Sequence, residues 1–166
     1  MSIQLLCVSH KTADTKIRSL FAFDADAKTR IMDRLECSPY INEVVLLATC
    51  NRTELYCEVT EKTETVVLYM QQVLLDEAGV SEDSEIQDVI LRYEEKKAVH
   101  HLFMVAAGLD SVVLGEDQIL GQVKNAYLES DKKGYIGNSF HSLFQAAMAA
   151  AKKVKTDTPM SKTSVS

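Results

Sequence analysis

The chain has 166 residues, 46% hydrophobic and 25% charged, which suits one soluble globular domain and is too short for two full-sized ones. A formal net charge of −6 gives no general attraction to phosphate backbones, which excludes non-specific nucleic-acid binding. No apolar run reaches the length of a membrane span and no basic-then-apolar leader opens the chain, so a cytoplasmic protein is expected.

Gly (6) and Pro (2) are scarce, which argues against low-complexity linkers and a turn-rich all-β fold. Ile3 to Val8 alternates and reads as an opening strand, broken by Ser9-His10-Lys11-Thr12. Asp24 reads as the N-cap of a helix that runs through Ile31 and Leu35 and ends before Pro39. Val44 to Ala48 is a continuous apolar run, the pattern of a strand covered on both faces. After a polar break at 49–53, Leu55, Cys57 and Val59 alternate with Glu54, Tyr56 and Glu58. That period of two predicts a second strand with one solvent-facing side.

Glu64 to Ala78 reads as a helix on the stripe Val66, Val67, Met70, Val73 and Leu74, with Gly79 as its stop. Val89 to Tyr93 is the expected last strand. From Glu94 the pattern is helical: Val99, Leu102, Phe103 and Ala106 before Gly108, then Asp117 to Lys132, then a third helix striped by Phe140, Leu143, Phe144, Ala147, Ala151 and Val154. The expected fold is α+β, a small mainly antiparallel sheet packed by helices with a helical C-terminal half. It contains no Gly-x-Gly-x-x-Gly after a strand and hence no Rossmann unit. The Ser/Thr-rich end, 157–166, reads as a linker beyond a domain of residues 1–156.

The four cysteines (Cys7, Cys37, Cys50, Cys57) form no Cys-x-x-Cys pair, so free thiols and no metal are expected. Cys7 with His10, or His100 with His101, offers metal-binding atoms, but no second pair stands at a familiar spacing, which favours a structural role. Cys50 falls where a buried strand ends and an exposed one begins, so its sulfur belongs at the lip of the sheet. Arg52 is two residues on, and a cation beside a thiol favours the thiolate, the attacking species. A free cysteine is also commonly a small buried hydrophobe, and Cys57, on the apolar side of its strand, reads that way. One of His100 and His101 should flank the apolar stripe, where an imidazole can serve as acid, base or oxyanion donor. Gly108 to Gln118 mixes apolar with acidic and amide residues. Glu116 and Asp117 suit a helix N-terminus or a wall for a polar substrate, and Gln118 and Gln122 share a helix face. Lys152, Lys153 and Lys155 are a basic patch for RNA or a solvated last turn.

Thr49-Cys50-Asn51-Arg52-Thr53-Glu54 resembles the hallmark of glutamyl-tRNA reductases. His101-Leu102-Phe103, Gly108-Leu109-Asp110-Ser111 and Gly115-Glu116-Asp117-Gln118-Ile119-Leu120-Gly121-Gln122-Val123-Lys124 resemble a second signature of that family. His10-Lys11-Thr12-Ala13 and Lys152-Lys153-Val154 with Thr156-Asp157-Thr158 fall in the same order. The resemblance implies reduction of glutamyl-tRNA to glutamate 1-semialdehyde with NADPH, in tetrapyrrole and haem biosynthesis. It implies that Cys50 attacks the ester and leaves a thioester, with His101 important for activity. Thr49, Asn51, Arg52, Ser111, Glu116, Asp117, Gln118 and Gln122 align with substrate-contacting positions, Arg52 as a bidentate clamp on the glutamyl carboxylate and Glu116 or Asp117 as the seat of the α-ammonium.

Implied partners are glutamyl-tRNA(Glu), with product transfer to glutamate-1-semialdehyde aminomutase, and no membrane. Ala48 in place of serine, Asp14 in place of proline and Ala151-Lys152-Lys153 in place of Gly-Lys-Arg depart from the family pattern. The family's NADPH-binding and dimerisation domains have no counterpart in the sequence. The expectation is a fragment that forms the thioester without delivering hydride, binds no NADPH, and is a monomer where the full-length enzyme is a homodimer. A non-catalytic module that binds glutamyl-tRNA or a protein is the alternative.

Overall fold

In the computed structural model, which describes residues 2–81, 85–114 and 117–158, the first apolar run forms β1 (Ser2–Ser9). A short helix, α1 (Thr15–Leu20), follows. Asp14, the departure from proline, caps it: its carboxylate accepts from the Ile17 N–H at 2.9 Å. None of the residues of α1 is fully buried, and Ile17 alone is among the hydrophobics packed against the core, too little of a stripe for the sequence to announce the helix. Asp24 caps α2 (Ala25–Glu36) as expected, accepting from the Ala27 N–H at 2.8 Å. Ala27, Ile31, Met32 and Leu35 are its buried residues.

β2 (Ile41–Ala48) and β3 (Arg52–Val59) form a hairpin. α3 (Glu64–Ala78) stops at Gly79, whose φ of 70° closes the helix in the left-handed region. A 3-10 turn at Glu85–Val89 precedes β4 (Leu91–Glu94), so the last strand starts two residues later than the sequence suggests. The helical half is α4 (Glu95–Ala106), α5 (Gln118–Lys132) and α6 (Asn138–Asp157). Residues 159–166, most of the expected linker, lie outside the described residues. No helix among the described residues is long and apolar enough to cross a membrane.

The fold is α+β, with the four strands antiparallel in the order β2-β3-β1-β4. Each face of the sheet carries its own apolar core. Leu6, Val8, Val44, Leu46, Leu55, Cys57 and Val59 pack with α2 and α3. Leu5, Cys7, Val45, Leu47 and Tyr56 pack with α4, α5 and α6. β2 is an edge strand in hydrogen bonding, yet it is covered on both faces as its apolar run predicts.

The solvent-facing side expected for β3 does not exist. All eight of its residues are buried, including Arg52, Glu54 and Glu58. The alternation is real, but it separates an apolar core from a second, polar-lined one. The polar residues survive burial because they have partners. Glu58 accepts from the Ser139 hydroxyl at 3.3 Å, and Glu54 has a set of donors described below.

Candidate active site

The loop between β2 and β3 is fixed by Thr49. Its hydroxyl oxygen accepts from the N–H groups of Asn51 and Arg52, each at 3.2 Å, while its own N–H donates to the Arg52 carbonyl at 2.8 Å. The Asn51 carbonyl accepts from the His10 N–H at 3.0 Å, which ties the loop to the end of β1. The residue left to project from this braced turn is Cys50, and it is exposed. The sulfur therefore stands at the lip of the sheet, as its place in the sequence suggests. Cys57, by contrast, is wholly buried, and burial pushes its thiol well up.

Cys50 lines a small recess with Thr49, Asn51 and Arg52 from its own loop, Ser111 and Val112 from the α4–α5 connection, and Gln118, Ile119 and Gln122 from the first turns of α5. Six of the expected substrate-contacting residues are thus gathered around the cysteine. Asp117 is not among them: its side chain is exposed and pairs with Lys155 at 3.0 Å. Glu116 lies outside the described residues.

Arg52 is not a free clamp. Its side chain is 1% exposed and the chain's own carboxylates already hold it. Nη1 donates to Glu54 Oε1 and to Asp110 Oδ2, each at 2.9 Å, and Nη2 donates to the Asp110 carbonyl at 2.7 Å. Asp110 also pairs with Lys11. Burial works against the Asp110 carboxylate, but hydrogen bonds from Lys11 and Arg52 outweigh it and hold its pKa below the usual range.

Glu54 is the hub behind Arg52. Besides Arg52, its Oε1 lies 2.6 Å from His101 Nε2 and 3.5 Å from Cys7 Sγ, and its Oε2 accepts from the Tyr56 hydroxyl at 2.5 Å. Full burial alone would raise its pKa, yet the hydrogen bond with His101 and the Arg52 charge keep it lowered. The same carboxylate and burial push the Tyr56 hydroxyl up.

His101 sits on α4, stacked on Tyr93 with ring centroids 5.1 Å apart. It does not line the Cys50 recess. It lines a neighbouring groove with Tyr93, Lys96, Lys97 and Asp110, and the Arg52–Asp110 ion pair is the wall between the two depressions. His100 is exposed on the same groove. Sequence reasoning gave Glu54 and Asp110 no site role and weighed Cys7 only with His10, as a metal ligand. The signal for Glu54 was its place two residues from Arg52 on one strand face. The contacts of Cys7 and Asp110 with the site left no local signal, because β1 and the α4–α5 connection reach it only through the tertiary fold.

The model of the "Glutamyl-tRNAGlu reductase, N-terminal domain" family matches residues 6–158. The chain belongs to the glutamyl-tRNA reductase family. A glutamyl-tRNA reductase of Shewanella frigidimarina is 41% identical over all 166 residues, and one of Xylella fastidiosa is 39% identical over 158. A solved glutamyl-tRNA reductase, from Methanopyrus kandleri, superposes on 94% of the chain with a TM-score of 0.76 at 26% identity. The chain spans 38% of the Shewanella reductase, 34% of the Xylella reductase and 35% of the Methanopyrus chain.

Proposed function

We propose that this chain is the acyl-transfer domain of a glutamyl-tRNA reductase, with Cys50 as the nucleophile, acting in tetrapyrrole biosynthesis. The Cys50 thiolate attacks the glutamyl ester carbonyl, and the tetrahedral adduct collapses with release of the tRNA ribose oxygen. A glutamyl thioester remains on the sulfur. The proton given up by the thiol equals the one gained by the departing hydroxyl, so the step needs no further reagent. The observation that carries this reading is an exposed cysteine on a braced turn, facing Ser111, Gln118 and Gln122 across one recess.

The geometry supports the remaining roles in this reading. Gln118 and Gln122 offer amide groups to the polar glutamyl moiety. Arg52 Nη1 is engaged by Glu54 and Asp110 and Nη2 by the Asp110 carbonyl, so a substrate carboxylate that takes both nitrogens as a bidentate fork competes with Asp110. His101 acts on the recess through Glu54 and Arg52, as a positioning residue.

NADPH would supply the hydride that turns the thioester into an aldehyde. The described residues do not fit it: their sheet is wholly antiparallel and offers no strand, glycine-rich turn and helix to receive a pyrophosphate. We assign no step through NADPH to this chain.

Incubation with glutamyl-tRNA labelled in the amino acid is expected to leave acid-stable label on the protein, released by hydroxylamine. Cys50→Ser should reduce that label by at least about 100-fold. Equal labelling of Cys50→Ser would overturn the assignment. Retention of tRNA by the native chain without any label would favour the binding module instead.

A further inference from the structure

The spacing of cysteines and histidines in the sequence gives no metal motif, but the fold builds a donor set that spacing cannot reveal. Cys7 comes from β1, Glu54 from β3 and His101 from α4. Their Sγ, carboxylate oxygen and imidazole nitrogen all lie within 4.8 Å of one another. Among the described residues this is the one place where three such donors gather. We propose that Cys7, Glu54 and His101 form a binding site for a single Zn2+-class divalent ion, separate from Cys50.

The geometry is near that of a tetrahedral site. Zinc takes sulfur at about 2.3 Å and nitrogen or oxygen at about 2.0–2.2 Å, which sets donor atoms about 3.3–3.5 Å apart. Cys7 Sγ is 3.5 Å from Glu54 Oε1 already. His101 Nε2, at 2.6 Å from that oxygen, has to withdraw by less than an ångström, and its side chain borders the open groove rather than the core. Of the three donors only His101 lines that groove, so an ion reaches Cys7 and Glu54 by way of the imidazole.

The surroundings suit an ion as well. The Tyr56 hydroxyl holds the other oxygen of Glu54 and Tyr93 stacks on the His101 ring, the kind of outer contact that orients ligands. Arg52 is the opposing cation. A dication, Arg52 and Lys11 face the Cys7 thiolate, Glu54 and Asp110, which leaves one net positive charge on the network, open to solvent at Lys11. Binding displaces the Cys7 proton to solvent and uses the neutral lone pair of His101, so no redox partner is required.

Co2+ is the probe, because thiolate ligation gives a near-ultraviolet charge-transfer band and a tetrahedral site gives intense visible bands. The exposed Cys37 and Cys50 are first replaced by serine, with folding checked by circular dichroism. Addition of Co2+ should then develop both features at one equivalent. Adding Cys7→Ser should abolish the charge-transfer band. His101→Ala, on a partly exposed helix position, should keep the fold and weaken Co2+ binding by more than about 10-fold. A natively folded protein with no bands, or unchanged affinity in His101→Ala, would overturn the site. The measurement uses no substrate, so its failure and the failure of acyl transfer at Cys50 are independent.

Discussion

Glu54 accepts from Arg52, Tyr56 and His101 at once while fully buried, and such a carboxylate matters less for its own charge than for the geometry it fixes. Glu54→Gln keeps the volume but supplies an NH2 where an acceptor is needed. It also leaves Arg52 with Asp110 as its sole carboxylate. We expect a stability loss of about 1–3 kcal/mol by urea unfolding, together with slower acylation of Cys50 by glutamyl-tRNA. An unchanged urea midpoint would show that the hub is dispensable for the fold. Cys50 itself was legible at this scale, because a break between two strand patterns puts a residue at a sheet edge whatever the rest of the fold does. Glu54 was not. Alternation distinguishes two faces of a strand but does not say whether water or a second core lies beyond the polar one.

At the scale of elements, helices with apolar stripes were read to within a residue or two, and the short α1, with no fully buried residue, went unseen. Strand order was not readable either. β1 lies between β3 and β4, so neither of its neighbours is its neighbour in sequence. One long-range device of this kind starts α6. Glu43, buried on β2, accepts from the N–H groups of Gly137, Ser139 and Phe140 at 2.9, 3.1 and 2.7 Å. A remote carboxylate thus does the work of an N-cap residue, which explains why no local capping signal precedes the helix. Gly137 makes room for it: a Cβ there would stand 2.8 Å from Glu43 Oε1. Gly137→Ala should therefore cost about 1–3 kcal/mol, read as a lower urea midpoint with an unchanged slope. A midpoint equal to that of the native chain would mean that Glu43 yields without losing its three bonds.

At the scale of the whole molecule, the buried ionisable groups set the pH range of stability. On the acid side, burial lowers the His10 pKa, helped by the Arg52 and Lys11 charges. The unfolded chain then binds that proton more readily than the folded one, so stability falls as pH drops below about 6.5. Glu54 and Asp110, also lowered, add a second loss as pH falls below about 4 and on through their folded values. On the alkaline side, burial raises the thiols of Cys7 and Cys57 and the hydroxyl of Tyr56. For these acids the unfolded chain loses its protons first, so stability falls as pH rises above about 8.5 for the thiols and about 10 for the tyrosine. The expected profile of urea midpoints is a plateau between about pH 6.5 and 8.5 with a decline on both flanks. Cys7 and Tyr56 bond to Glu54 and so couple the two flanks, but His10 acts on the acid side alone and Cys57 lies in the opposite core, so these two positions probe one flank each. His10→Gln should flatten only the first acid step, and Cys57→Ala, though less stable throughout, should make the alkaline decline shallower. A stability maximum near pH 5, or an alkaline flank indifferent to Cys57, would contradict the coupling of these buried groups to folding.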